Sequence, residues 1–174
     1  MRILSLLILG LAVSPLSAEQ VCDTTRFPLS SPTALFQNNG DGTVTDTASG
    51  LMWMRCPLGQ VWSDGTCRGD AAQYDWPAAQ AAAEEVNATG RHFFNDWRVP
   101  SLRELAMITE RQCENPRINL TVFPDTQATF FWTSTTRPGE GNEDVAYALS
   151  FGPEGVKHRP KAERYPVRLT RTAQ

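Results

Sequence analysis

Lys157-His158-Arg159-Pro160-Lys161, followed by Arg164, places four cations and an imidazole in one short stretch of a chain whose formal net charge is −3. Clustered cations recognise sulfate, carboxylate or phosphate through charge-assisted hydrogen bonds. Pro160 and Pro166 keep the segment extended, which splays those side chains outward. The acids Glu140, Glu143, Asp144 and Glu154 lie close in sequence and offer the competing picture of a solvated, charge-balanced loop. Trp62 stands with Trp76 beside a Gly- and Asp-rich stretch and is expected to be partly exposed, so it joins Lys157, Arg159, Lys161 and Arg164 as a candidate ligand contact. No catalytic residues emerge. There is no HExxH, no G-x-S-x-G and no Gly-rich phosphate loop, and the two histidines, His92 and His158, sit in unrelated contexts.

Metal chemistry finds little support in the spacing. Asn39-Gly40-Asp41-Gly42-Thr43-Val44-Thr45-Asp46 alternates oxygens with glycine and invites a calcium reading. Aligned as an EF-hand, however, it puts Gln37 at the first ligand position and Ala48 at the twelfth, so both essential carboxylates are missing and a hairpin turn is expected. Four cysteines, Cys22, Cys56, Cys67 and Cys113, permit three pairings. We favour Cys56 with Cys67, which closes a short Gly-containing loop, and Cys22 with Cys113, which ties down the N-terminal tail. Zinc is a poor fit, since no C-x-x-C occurs. The expectation is two disulfides, no metal site and no cofactor.

Residues 1–18 carry one charge, Arg2, then an apolar run from Ile3 to Val13 and a small-residue exit at Ser17-Ala18, the pattern of a secretory signal peptide. That apolar run falls well short of the roughly 20 residues that span a bilayer. Export to the periplasm or beyond is therefore expected, with no membrane span, and the acidic balance argues against nucleic acid as a partner.

The elements that must hold these residues follow from periodicity. Residues 19–32 read as a polar leader tethered by Cys22, and the domain as residues 33–174. Ala34 to Gln37, Thr43 to Asp46 and Leu51 to Arg55 read as strands of an antiparallel meander. Cys56 to Tyr74 reads as a loop stapled on itself. Asp75 caps a helix that Pro77 opens and Asn87 with Gly90 closes, and its alanines suit close packing. Ser101 and Glu104 form a capping box opening a second helix from Leu102 to about Arg111. Ile118, Leu120 and Phe123 pin an irregular segment. Phe130 to Ser134, Ala146 to Phe151 and Pro166 to Thr170 close the chain as strands, with polar loops at Arg137 to Asp144 and Gly152 to Arg164. The fold class is α+β, a mainly antiparallel twisted sheet with two helices and long loops.

Four segments together carry a family resemblance. They are the turn-rich stretch Phe36 to Trp53, then Asn95-Asp96-Trp97-Arg98-Val99-Pro100-Ser101-Leu102-Arg103-Glu104-Leu105, Phe131-Trp132-Thr133-Ser134, and Val167-Arg168-Leu169-Thr170-Arg171. From about Phe36 to Arg171 the chain resembles the Lcl C-terminal domain family, named for a bacterial collagen-like adhesin. The resemblance implies a C-type-lectin-like fold related to the sulfatase-modifying group, in which Trp53, Asp96, Trp97, Arg98, Pro100, Ser101, Glu104, Trp132 and Arg168 act as a structural signature. Arg98 would then need a buried partner, with Asp46 and Asp96 both open. A lectin-like fold also leaves room for calcium, though no residue set in this chain supports it. By analogy the function is that of a secreted or periplasmic, non-catalytic, adhesin-like module for sulfated or acidic glycans. The alternative is a structural accessory of a cell-envelope assembly that binds a protein partner.

Overall fold

The computed structural model describes residues 19–90 and 94–173. The expected signal peptide, residues 1–18, lies outside them. Strands β1 (Val21–Cys22), β2 (Phe36–Asn38), β3 (Thr43–Asp46), β4 (Leu51–Met54), β5 (Val61–Ser63) and β6 (Thr66–Arg68) precede helices α1 (Trp76–Thr89) and α2 (Leu102–Met107). Strands β7 (Cys113–Glu114), β8 (Phe130–Thr136), β9 (Val145–Ser150), β10 (Val156–Pro160) and β11 (Thr170–Thr172) follow. Four strands pair in the order β11-β4-β3-β2, three as β10-β9-β8, and two hairpin-like pairs, β1-β7 and β5-β6, stand beside them. Every pairing is antiparallel. The chain is thus α+β, as its periodicities imply.

Strand alternation divides the interior in two. Leu51 and Trp53 of β4 enter one core with Val44, Phe123 and Phe131, while Met52 and Met54 turn to a second with Trp97, Val167 and Leu169. The same division occurs at Phe131 and Trp132, neighbours on β8 that serve different cores. Leu105 and Ile108, on α2 and at its end, back the first core, and Ala79 and Ala83 of α1 back the second. Alanine at those positions lets the α1 backbone approach the sheet closely.

Both helices begin where their caps dictate. The Asp75 carboxylate accepts the Ala78 N–H at 2.9 Å, Pro77 occupies the first turn, and Gly90 ends α1 in the left-handed conformation at φ 61°. Ser101 and Glu104 complete the capping box of α2. This helix stops at Met107 rather than Arg111, because Thr109 bridges to Ile118 and the Glu110 N–H donates to the Arg117 carbonyl at 3.0 Å. Those backbone groups satisfy the irregular segment instead of a further helical turn.

Other expectations need adjusting. The leader is part of the packed body: Cys22 is bonded to Cys113 across β1-β7, and the Gln20 amide donates to the carbonyls of Pro116 (2.6 Å) and Ile118 (2.7 Å). A 3-10 turn over Thr33–Leu35 delays the first meander strand to Phe36. The second disulfide joins Cys56 to Cys67, and the stapled stretch holds the β5-β6 hairpin. What reads as a polar loop from Gly152 to Arg164 contains β10, paired along its length with β9. The final strand falls at Thr170–Thr172 because residues 166–169 divide their carbonyls between neighbours. Pro166 accepts from Trp132 (3.1 Å), Val167 from Leu58 (2.9 Å) and Leu169 from Met54 (3.1 Å), which stitches the two larger sheets together. Among the described residues, no helix is long and apolar enough to cross a membrane.

Candidate functional site

β10 is an edge strand, hydrogen-bonded only to β9. Lys157 stands opposite Ala148 and Arg159 opposite Ala146. Both alanines are fully buried in the α1-side core, so Lys157 and Arg159 rise from the rim of that core. The Arg159 guanidinium lies 5.2 Å from the Phe130 ring and donates to Glu163 (2.8 Å) and to the Tyr165 hydroxyl (2.8 Å), which itself donates to Glu163. The hydrogen bond to Tyr165 holds Arg159 above its ordinary pKa, with Glu163 adding. Burial raises the Tyr165 phenol, again with help from Glu163. Lys161 donates to the Glu143 carbonyl at 2.5 Å and lies 4.6 Å from the Trp76 ring. Arg164 donates to the Gln73 carbonyl at 2.6 Å. Lys157 is exposed and makes no ion pair among the described residues.

The electrostatic result is a surplus of positive charge. Carbonyls and aromatic faces orient Lys161 and Arg164 without neutralising them, and Glu163 is the carboxylate that pairs within the cluster. None of Glu140, Glu143, Asp144 and Glu154 forms an ion pair with it among the described residues. Half-buried Trp76, Phe130 and Tyr165 lie between the cations, so the edge offers charge beside apolar ring faces.

Trp62 belongs elsewhere. It is half-exposed, as expected, but covers the Arg55 guanidinium at 4.0 Å and packs so tightly on Gly42 that a Cβ there would meet it at 2.8 Å. Arg55 in turn donates to the Val122 and Thr121 carbonyls, each at 2.8 Å, and burial lowers its pKa. A cavity of about 130 Å³ beside Trp62 is lined by Met54, Leu58 and Val86. Val86 lies near the C-terminal end of α1, whereas Trp76, next to Lys161, starts it. About 15 Å of helix axis separates Val86 from Trp76, and the contacts of Trp62 among the described residues are with Arg55 and Gly42.

The signature residues are structural in position, with one correction. Trp53, Trp97 and Trp132 are buried, and the Trp132 indole donates to the Tyr74 carbonyl at 2.8 Å. The Pro100 carbonyl accepts from Ser134 at 2.8 Å. Arg98 pairs with neither Asp46 nor Asp96 but with Glu104, through bonds of 2.8 and 2.6 Å, and its side chain is 44% exposed. Asp46 instead caps the Ala48-Ser49 turn, and Asp96 binds the buried Arg171 at 2.6 Å. The carboxyl of Glu104 is depressed to about 2, first by the Arg98 bond and then by Ser101, against the opposing effect of burial. Arg168 is also fully buried and donates to the carbonyls of Met54 (2.9 Å) and Arg55 and to the Thr126 hydroxyl (2.6 Å). Burial pushes it down to about 9, with the charge of Arg55 adding.

The calcium-like loop uses its oxygens internally. Asp41 accepts the Thr43 N–H (2.9 Å) and hydroxyl (2.6 Å), and Asn39 donates to Thr43 and Thr45. Among the described residues no three His, Cys, Asp or Glu side chains gather into a metal-binding set. Asn87 and Asn119, which head glycosylation-like tripeptides, have amides engaged with Trp97 and with Ser31 and Thr33.

Glu110 went unnoticed in the sequence. Although 2% exposed, it accepts from Ser30, Ser31 and Gln112 and so clasps the leader. Burial raises its pKa, but these donors outweigh that effect and leave it lowered. No local spacing marks it, because Ser30 and Ser31, which it holds, lie about 80 residues away and only Gln112 is local.

A disulfide-stapled α+β domain with a cationic, ring-lined sheet edge is thus defined. Residues 42–171 match the family model of the Lcl C-terminal domain, and the chain belongs to that family. A search of curated proteins finds no match.

Proposed function

We propose that the chain is an exported, non-catalytic binding module of C-type-lectin-like build that takes polyanionic glycans along the β10 edge. The observation that carries this reading is the placement of Arg159 against Phe130 and Tyr165 and of Lys161 against Trp76, with Lys157 and Arg164 in the same segment and Glu163 paired to Arg159. Sugar rings pack on such faces while their sulfate or carboxylate groups meet the cations. Lys157 and Pro160 are also residues that discourage a second strand from adding to an exposed edge, which favours a polyanion over a paired peptide there. Two disulfides fit an oxidising compartment and so support export.

The test is binding to a heparin-like sulfated polysaccharide. Affinity should fall steeply between about 0.05 and about 0.5 M salt, because several exposed contacts act together. Replacing Lys157, Arg159, Lys161 and Arg164 by Ser should abolish binding while circular dichroism shows an intact fold. Binding that ignored salt, or survived the fourfold change, would overturn the reading in favour of a protein-binding envelope accessory.

A further inference from the structure

The opposite face of β10 has its own chemistry. His158 lies between Lys157 and Arg159, so its side chain points to the other side of the strand. It pairs in register with Tyr147 on β9, and the two rings meet edge to face with centroids 6.4 Å apart. Arg137, from the loop after β8, brings its Nη1 to 3.2 Å from His158 Nε2. A guanidinium has no acceptor, so this contact makes Nε2 the acceptor and the imidazole neutral while it lasts. Arg137 and His158 are exposed and Tyr147 is half-buried.

This is an incomplete charge arrangement. No carboxylate forms an ion pair with Arg137 among the described residues. Glu140, Glu143 and Asp144 follow closely in sequence, yet none of them pairs with Arg137 among the described residues, and Glu143 Oε1 accepts the Gly141 N–H at 3.2 Å. Arg159, on the first face, has Glu163; among the described residues the side-chain contact of Arg137 is a ring nitrogen of His158.

We infer that Arg137, His158 and Tyr147 form a second oxyanion subsite, on the face of β10 turned away from Lys157 and Arg159, for a sulfate or carboxylate group. An oxyanion placed there displaces the Arg137–Nε2 contact and accepts from Arg137 and from Nε2–H, the imidazole carrying its proton on Nε2 once Arg137 no longer donates to that nitrogen. It replaces one neutral contact with charge-assisted bonds about twice as strong. Tyr147 fixes the imidazole plane and supplies an apolar flank for whatever carries the anion. The inference rests on the reading of β10 as an anion-binding edge and extends it to both faces, so that an extended polyanion could straddle the strand.

The experiment is an NMR titration of the His158 side chain with sodium sulfate, sodium acetate and, as control, sodium chloride at matched ionic strength. A saturable shift with sulfate alone assigns a sulfate subsite, and one with acetate as well assigns general oxyanion binding. In Arg137→Gln the response should weaken at least about tenfold. It should persist in the protein lacking Lys157, Arg159, Lys161 and Arg164. A response to chloride equal to that to sulfate, or one unchanged in Arg137→Gln, would overturn the subsite. Because the polysaccharide test reads the first face, failure here with salt-dependent polysaccharide binding intact removes only the subsite.

Discussion

Arg168 and Arg159 carry the same guanidinium within a short span of chain, yet one is sealed in the interior and the other stands at a sheet edge. Arg168 is held by two carbonyls and a hydroxyl and lies 4.9 Å from the Phe123 ring, and among the described residues no carboxylate pairs with it. Arg159 has Glu163, Tyr165 and Phe130, and water besides. In the interior the cation ties the end of β4 to the Thr126 loop through those groups. At the edge the same group is left with reach toward solvent. The difference teaches that a cation's role here is set by whether its acceptors depend on it.

The strongest way to break that comparison is to replace both residues by Met. Arg168→Met strands buried acceptors and should cost about 3 to 5 kcal/mol in urea unfolding, whereas Arg159→Met should stay near 1 kcal/mol or below. Equal losses would erase the distinction.

A middle-sized effect concerns the hairpin that shields another buried cation, Arg55. Opening the short staple with Cys56→Ala and Cys67→Ala should cost about 3 kcal/mol in the chain-entropy model. Trp62 should then leave Arg55, read as a fluorescence change that precedes global unfolding. Fluorescence that changes only with the global transition would show that Asp125, which accepts the Thr66 hydroxyl and Cys67 N–H, holds the hairpin alone.

The smallest effect sharpens the comparison at Arg98, which is neither buried nor free. Its partner Glu104 has a depressed carboxyl, about 2 against an ordinary 4.5. A depressed carboxyl stabilises the fold above the unfolded value, and that contribution is lost as pH falls from about 4.5 through about 2. Solvent around the pair limits it to about 1 kcal/mol. Urea unfolding across that range should show a shallower acid loss in Glu104→Gln than in the parent protein. Identical slopes would mean that the pair contributes nothing to folding.

Much of this was legible in sequence where the signal is local. Asp75, Pro77 and Gly90 bound α1, and Ser101 with Glu104 opens α2, because caps act over three or four residues. The cysteine pairing follows from loop closure. What escaped depends on distant partners. β10 is hidden because Lys157-His158-Arg159 shows no apolar alternation, and only β9 makes it a strand. The family signature implies a buried Arg98 with Asp46 or Asp96, but Arg98 stays half-exposed on Glu104, while Arg171 and Arg168 are buried. At the candidate site the cations were readable, but the packing of Trp62 on Arg55 and Gly42 was not.

The Cys22–Cys113 bond also fixes how the domain would carry a mechanical load. Tension applied at the two ends would enter near Cys22, cross directly to Cys113 and bypass the intervening chain, including both helices and the meander. At the far end the pull would meet β11, paired with β4 from Thr170 against Trp53 to Thr172 against Leu51, and clamped by the Ala173 N–H on the Gly50 carbonyl at 2.8 Å. Rupture would start there by peeling the last strand, while the covalent shortcut kept the first half of the domain folded and attached.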